Sequence, residues 1–291
     1  MKGKGILCAV LAAFLYALST PCSKKLLDVI PTTMLAGILY LGAGIGLLVI
    51  KLCRGHYGKN KEDHLTRKDL PYTVGMVVLD ILAPICLMYG LSTSSPASVS
   101  LLNNFEIVAT AIIALVIFKE HISGKLWVAI GLVTTASMML SMDGAVPFQF
   151  SYGSLFVLLA CVCWGFENNC TRKLSAKDPV DIVVIKGLCS GTGSVLIALL
   201  LGERLVFNVY ILFALLLGFV AYGLSIYFYI LAQRSLGAAK TSTYYALAPF
   251  MGVILSLILF WEVPNLFFWI ALIIMAFGTL LVVRDELNLV R

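Results

Sequence analysis

The sequence predicts an all-α polytopic membrane protein with ten transmembrane helices. Hydrophobic residues make up 60% of the chain and charged residues only 12%, against about 25% charged residues in a typical globular domain. The mean hydropathy is +0.99, and apolar stretches of about twenty residues, each long enough to cross a bilayer, recur along the chain. Because a helix satisfies its own backbone polar groups over such a span, these stretches predict helices.

The first five helices are apolar stretches separated by polar or turn residues. The N-terminal stretch resembles a signal peptide, with Lys2 and Lys4 before an apolar run, but it matches an internal segment and is expected to remain as helix 1. The polar insertion Lys51–Asp69, between helices 2 and 3, is too short for a folded domain, and the turn Ser92–Pro96 follows helix 3. The predicted ranges are 5–23, 32–51, 71–91, 97–118 and 125–142.

The last five helices repeat this arrangement, and the turn Ser235–Lys240 follows helix 8. Pro84 in helix 3 and Pro249 in helix 9 each remove a backbone donor, which predicts a kink or a freed carbonyl inside the span. Glycines in helices 2 and 7 allow these helices to approach neighbouring helices closely; they are Gly42, Gly44, Gly46, Gly187, Gly191 and Gly193. The predicted ranges are 152–171, 180–201, 207–231, 240–261 and 265–283.

The chain is a duplication of a five-helix unit. Residues 5–26 align without gaps onto 153–174 at an offset of 148, and helices 4 and 5 align onto helices 9 and 10 at an offset of 142. The identical positions of the first alignment are Gly5, Leu7, Leu11, Ala12, Cys22, Lys25 and Leu26; those of the second are Ala97, Ser100, Leu115, Phe118, Glu120, Trp127 and Ala129. The two repeats are therefore expected at 1–142 and 153–284.

The distribution of basic residues predicts the orientation in the membrane. Of the 21 Lys and Arg residues, 17 fall in segments on the side of the N-terminus, three (Lys24, Lys25 and Arg204) fall on the other side, and Lys186 lies within a helix. This bias predicts a multi-pass protein of the cell membrane, plasma or inner, with both termini in the cytoplasm. Because each repeat has five spans, the second is expected to be inverted relative to the first, with a pseudo-two-fold axis in the membrane plane.

Several repeated segments resemble one transporter family. They are the aromatic–small pairs Tyr16-Ala17 and Trp164-Gly165 and the segments that end in Phe118-Lys119-Glu120 and Phe260-Trp261-Glu262. The chain is similar in these segments to the drug/metabolite transporter superfamily, specifically the EamA-type group with two five-helix repeats. This resemblance implies a cavity lined by helices of both repeats and no ATP-binding module, and the sequence contains no GxxxxGK[ST] loop.

Four ionisable residues lie inside predicted spans: Asp80, Glu106, Glu167 and Lys186. A charge within a membrane is costly unless it is paired or hydrated, so these side chains are expected to face the protein interior or a water-filled cavity. Glu167 and Lys186 lie at a similar, cytoplasmic depth on consecutive helices. They predict either a structural ion pair or a switch, in which Lys186 pairs with Glu167 in one state and with substrate in another.

Asp80 and Glu106 lie near the middle of the bilayer, where the sequence offers no cationic partner at their depth. If they share a cavity, repulsion and desolvation favour the protonated form of at least one of them. Such a carboxyl group can bind a proton or a cation in turn; the alternative is a protonated carboxyl group hydrogen-bonded within the bundle. Tyr222 and Ala248 occupy the equivalent positions of the second repeat, so the predicted cavity is chemically asymmetric.

Amide and aromatic side chains complete the candidate site. Asn103, Asn104, Asn168 and Asn169 lie near the carboxylates and could either bond helices together or contact a ligand. Tyr16, Trp164, Tyr222 and Tyr245 could either pack the bundle or offer π faces to a cation. The eight cysteines form no CxxC pair and the three histidines lie in predicted loops, so neither a metal site nor a cofactor is expected.

The sequence favours a secondary, proton-coupled transporter that works by alternating access. Three embedded acids against one lysine favour a small cationic or zwitterionic metabolite, such as an amino acid or an amine. The expected partners are this substrate, protons and the lipid bilayer, but no nucleic acid, because the positive charge lies in loops. One chain can enclose a cavity, so the sequence is compatible with either a monomer or a homodimer. The alternatives are a non-transporting receptor or accessory protein, and an intramembrane enzyme with an Asp80/Glu106 dyad; an enzyme is not expected.

Overall fold

A computed structural model describes residues 2–54, 65–119, 123–142, 151–174, 177–204, 208–236, 241 and 244–289. Within these residues the elements are helices, nine of them long and apolar enough to cross a membrane, and the apolar helix Ala248–Phe260 is shorter. The predicted all-helical fold with ten spans is confirmed. The predicted helix starts at 207 and 240 and the segment between the repeats, 143–150, lie outside the described residues.

The ten helices are numbered in chain order, and four of them consist of consecutive segments. They are α1 (Lys2–Ala17, Ser19–Leu26), α2 (Thr32–Arg54), α3 (Leu70–Thr93), α4 (Pro96–Leu102, Phe105–Phe118), α5 (Gly124–Ser141), α6 (Tyr152–Leu174), α7 (Pro179–Ile185, Lys186–Ser190, Gly191–Leu200), α8 (Val209–Leu217, Gly218–Leu224, Ser225–Leu236), α9 (Ala248–Phe260) and α10 (Leu266–Leu289).

The sequence predicted α4 as one continuous helix, but it is interrupted at Asn103 and Asn104. The Asn104 amide donates to the carbonyl of Leu101 at 3.1 Å, and an Asn side chain that bonds the local backbone in this way competes with the helical ladder. The thiol of Cys161 on α6 lies 3.7 Å from the carbonyl oxygen of Leu102, beside the break. The interruption therefore places polar backbone and side-chain groups inside the bundle.

Two helices contain a π-helical segment, Lys186–Ser190 in α7 and Gly218–Leu224 in α8. A π turn adds one residue to the helix and commonly marks a functional position. Pro84 lies inside α3, as predicted, but Pro249 lies in the first turn of α9. Helical residues at 244 and 245 precede this segment, and a turn at 246–247 separates the two. Pro249 therefore follows an interruption inside the predicted span 240–261, where its missing N–H breaks no helical hydrogen bond.

The helix pairings follow a pseudo-two-fold symmetry. The packing of α3 against α6 is matched by that of α8 against α1, and α4 against α6 is matched by α9 against α1. Three further contacts are between equivalent helices of the two repeats, so exchange of the repeats leaves each pair unchanged: α2–α7, α4–α9 and α5–α10. Since each repeat contributes five spans, a shared bilayer requires the two repeats to run in opposite directions through it.

Helices α2 and α7 cross with their backbones in contact. A Cβ atom on Gly44 would lie 2.6 Å from the backbone nitrogen of Leu188, and one on Gly191 would lie 2.6 Å from the backbone nitrogen of Leu41. No side chain fits between these backbones. The crossing lies directly beside Lys186, the first residue of the π segment in α7.

Candidate functional site

A buried ion triad lies between α3, α6 and α7; it consists of Asp80, Glu167 and Lys186. The Lys186 ammonium lies 3.1 Å from Asp80 Oδ2 and 3.0 Å from Glu167 Oε1. The Asp80 side chain is fully buried, and those of Glu167 and Lys186 are 3% and 15% exposed. One ammonium group thus serves two carboxylates, of which Asp80 belongs to the first repeat and Glu167 to the second.

The predicted proximity of Glu167 and Lys186 is confirmed, but the prediction that Asp80 has no cationic partner is wrong. The predicted depth of each residue in the membrane assumes straight α-helices. Lys186 lies at the start of a π segment, where this assumption fails. In addition, the flexible four-carbon stem of Lys carries its charge well away from its own Cα atom.

Tyr40 and Trp164 complete the surroundings of Asp80. The Tyr40 hydroxyl donates to Asp80 Oδ1 at 3.0 Å, and the Trp164 indole N–H donates to the Tyr40 oxygen at 3.4 Å. Asp80 Oδ2 lies 3.1 Å from the Lys186 ammonium, so each oxygen of this buried carboxylate has a polar neighbour. Sequence reasoning missed Tyr40, because no polar neighbour distinguishes it within the apolar helix α2.

Glu106 lies apart from the ion triad, at the start of the second segment of α4. Its Oε1 atom accepts a hydrogen bond of 2.7 Å from the Asn168 amide, which also donates to the Thr110 hydroxyl at 3.2 Å. Among the residues that the structure describes, no salt bridge involves Glu106. Glu106 is thus a carboxylate inside the bundle with an amide partner but no counter-charge.

The remaining asparagines mainly contact the backbone and neighbouring helices. The Asn169 amide donates to the carbonyls of Gly165 (2.8 Å) and Thr110 (3.2 Å), which ties α6 to α4. The Thr279 hydroxyl donates to Asn104 Oδ1 at 3.4 Å, which ties α10 to the break in α4. Asn103 differs from these, because its buried Oδ1 atom has no hydrogen-bond partner.

A small cavity of about 10 Å³ lies between the two repeats. It is lined by Tyr16, Ala17, Ser19, Thr20, Ser100, Asn103, Ala248, Pro249 and Gly252. Within the described residues, the buried Ser100 Oγ and Asn103 Oδ1 atoms have no hydrogen-bond partner. This volume suffices for about one water molecule. A larger pocket of about 380 Å³, lined by Ser95 and Ser98 of the first repeat and by residues 262–265 and Phe268 of the second, lies nearer the helix ends.

Three of the four predicted aromatic residues form one cluster with Tyr40. The ring of Tyr16 lies 5.9 Å from that of Tyr222 and 5.7 Å from that of Tyr245, and the rings of Tyr40 and Tyr222 are 5.5 Å apart. Trp164, the fourth, reaches the cluster through its hydrogen bond to Tyr40. The aromatic rings therefore connect the small cavity to the ion triad.

The comparisons with known proteins agree with this architecture. The model of the EamA-like transporter family matches residues 3–142 and again residues 151–284. The chain belongs to the EamA-like transporter family. EamA-like transporters form part of the drug/metabolite transporter superfamily, so the resemblance drawn from the repeated segments is confirmed.

Two further proteins are similar to this EamA-like transporter. A protein of Methanothermobacter thermautotrophicus, described as an uncharacterized transporter, is 23% identical over 94% of this chain and 84% of its own length. A solved crystal structure of another protein superposes with a TM-score of 0.69 at 16% identity, over 96% of this chain and 95% of the other. At that identity the superposition supports the fold alone. The chain is thus a multi-pass membrane transporter.

Proposed function

We propose that this protein is a proton-coupled secondary transporter of a small cationic or zwitterionic metabolite, such as an amino acid or an amine. One observation carries the proposal: Glu106 is a carboxylate inside the bundle that has the Asn168 amide as partner but no salt bridge in the described part of the chain. A carboxyl group in such surroundings can bind a proton or a cation, and exchange between the two couples their movements.

The charges of the site favour a cation. Asp80, Glu106 and Glu167 supply three carboxylates to the interior, and Lys186 supplies one ammonium group. With all four groups ionised, the centre carries two uncompensated negative charges, which protons, a cationic substrate or both can neutralise. A purely anionic substrate would instead meet repulsion in this centre.

The arrangement of the repeats supports alternating access. The small cavity is lined by residues next to the interruptions of α1 and α4 and by the first residues of α9, so both repeats contribute to it. Interrupted helices at the interface of inverted repeats are where secondary transporters commonly bind their substrates. Movement of one repeat against the other would enlarge this small cavity on one side of the membrane at a time.

The dyad required by an intramembrane enzyme receives no support from the geometry. Asp80 contacts Lys186 and Tyr40, whereas Glu106 contacts Asn168. The two carboxylates therefore have separate partners. No specific observation favours a receptor function either.

Transport into liposomes tests the proposal. The purified protein is reconstituted, a pH gradient is imposed, and uptake of labelled amino acids, primary amines and quaternary amines is measured. We expect accumulation of at least one of these classes that depends on the gradient. The variant Glu106→Gln should abolish this accumulation, because an amide can neither release a proton nor neutralise a cation.

The matched control is Glu203→Gln, the same change at a carboxylate outside the site. Glu203 accepts hydrogen bonds from the backbone nitrogens of Thr33 (3.1 Å) and Met34 (2.7 Å) and so caps α2. This variant should retain transport. Accumulation that survives Glu106→Gln would contradict coupling through Glu106, and a failure to move any cation or zwitterion would contradict the substrate class.

A further inference from the structure

We propose that Lys186 is a tethered cation: its ammonium group occupies, between Asp80 and Glu167, a site that would otherwise bind a free monovalent cation of the alkali or alkylammonium type. The inference concerns the ion triad and not Glu106. It assigns a binding site in which the protein supplies its own ligand, so that removal of the Lys186 side chain should leave a site with affinity for external cations.

The oxygen atoms around the ammonium are held in place by other groups. The Tyr40 hydroxyl fixes Asp80 through Oδ1, which leaves Oδ2 facing Lys186 at 3.1 Å. The Thr171 hydroxyl donates to Glu167 Oε1, the atom that lies 3.0 Å from the ammonium. Because these donors do not depend on Lys186, both carboxylates should keep their positions when its side chain is removed.

The energetics require a replacement for the ammonium group. Asp80 is fully buried and Glu167 nearly so, and a buried carboxylate without a partner is strongly unfavourable. An emptied site must therefore take up either protons or a free cation. Carboxylate oxygens are the ligands that hard cations prefer, and two carboxylates together with the Tyr40 hydroxyl suit a singly charged ion.

The contact also joins the two repeats. Lys186 on α7 lies 3.1 Å from Asp80 on α3. Lys186 begins a π segment at the crossing of α2 and α7, and a change in that segment would shift the ammonium relative to Asp80 on the other repeat. The triad thus joins the two repeats through a cation that can move with α7.

This placement has a consequence for coupling, and that consequence rests on the proposed function. With Lys186 in the site, the transport cycle needs no alkali cation at this position. Uptake by the wild-type protein in liposomes should therefore be unchanged when sodium replaces potassium. The cation site itself does not depend on the transport proposal, and the binding experiment below measures no transport, so the two can fail separately.

The experiment is thermal unfolding of the purified full-length variant Lys186→Ala in detergent at fixed pH and ionic strength. The probes are propylammonium chloride, which matches the side-chain atoms removed, and lithium, sodium and potassium chloride. We expect Lys186→Ala to unfold several degrees below the wild type without a probe, and to regain Tm in a saturable manner with propylammonium or one of the alkali cations. The rise in Tm of Lys186→Ala should clearly exceed that of the wild type, in which any response reports binding outside the ion triad. Lys51→Ala, which removes an exposed ammonium that contacts Asp181, should behave like the wild type.

A second variant keeps the test decisive if Lys186→Ala does not fold. Glu167→Gln/Lys186→Ala carries the same net charge in the triad as the wild type, and it should respond to propylammonium more weakly. Adding Asp80→Asn should remove the response. The proposal is overturned if the emptied site is stabilised only by lower pH and equally in all salts, or if the response persists after Asp80→Asn.

Discussion

The Tyr40 hydroxyl links two buried groups, since it donates to Asp80 and accepts from Trp164. The variant Tyr40→Phe removes this hydroxyl and leaves both groups without that partner. A buried polar group that loses its hydrogen bond costs about 1–3 kcal/mol, so we expect the free energy of unfolding to fall by about that amount. Chemical or thermal unfolding in detergent measures it.

The control for this variant is Tyr210→Phe, because Tyr210 lies in the first turn of α8 and is 43% exposed. Water can replace any hydrogen bond of its hydroxyl, and the stability should change by less than about 0.5 kcal/mol. Equal effects of the two substitutions would contradict a specific role of Tyr40 in holding Asp80.

At the residue scale, the sequence identified which charged residues lie inside the membrane-spanning helices, but not which residues they contact. Asp80, Glu167 and Lys186 stand out because an ionisable residue in an apolar span is rare. Their common contact could not be read from the sequence, because it depends on the π segment in α7 and on the reach of the Lys186 stem. The functional roles of these residues, and of the asparagines and aromatics around them, stay predictions.

The crossing of α2 and α7 supplies a test at the scale of helices. Gly191→Ala places a Cβ atom 2.6 Å from the backbone nitrogen of Leu41 and 3.0 Å from the carbonyl oxygen of Gly37. Since backbone atoms cannot rotate away as a flexible side chain can, the helices must separate. We expect a loss of about 1–3 kcal/mol of stability, measured by unfolding in detergent.

The matched control is Gly131→Ala in the middle of α5, where a Cβ atom meets nothing within 4 Å. Ala is a better helix former than Gly by about 1 kcal/mol, so this variant should be as stable as the wild type or slightly more stable. The opposite signs separate close backbone contact from helix propensity. A destabilising Gly131→Ala or a neutral Gly191→Ala would contradict the packing described here.

The sequence predicted the membrane-spanning helices but not the interruptions within them. Apolar length predicted all ten spans, because the bilayer thickness sets a minimum length that a short sequence window reveals. The break at Asn103 and the two π segments were not predicted, because each depends on tertiary contacts. The bond from Thr279 on α10 to Asn104 is one such contact, and it lies 175 residues away in sequence.

The whole molecule combines a symmetric scaffold with an asymmetric interior. The same helix pairs are in contact when the two repeats are exchanged. The ionisable residues do not follow this symmetry: the positions equivalent to Glu167, Asp80 and Glu106 in the other repeat hold Ser19, Tyr222 and Ala248. Under the proposed mechanism, symmetric packing would allow two conformations that open to opposite sides of the membrane. Both conformations would then use the same three carboxylates for the proposed binding of protons or cations.

The inversion of the repeats can be tested with one pair of equivalent positions: Lys68, in the short 3-10 turn just before α3, and Tyr210, in the first turn of α8. Both side chains are exposed, and they are related by the offset of 142. In a background without the eight native cysteines, a membrane-impermeant maleimide added to intact cells should label Tyr210→Cys but not Lys68→Cys. Permeabilised cells should show labelling of both, which is the control for reactivity.

The reason is that equivalent positions of inverted repeats face opposite sides of the membrane, while the positive-inside bias places Lys68 in the cytoplasm. Labelling of both cysteines in intact cells would contradict inversion and, with it, alternating access by exchange of the repeats. The reverse pattern, with only Lys68→Cys labelled, would keep the inversion but show that the termini lie outside the cell. The experiment thus separates the architecture of the repeats from their orientation, which rest on different physical arguments.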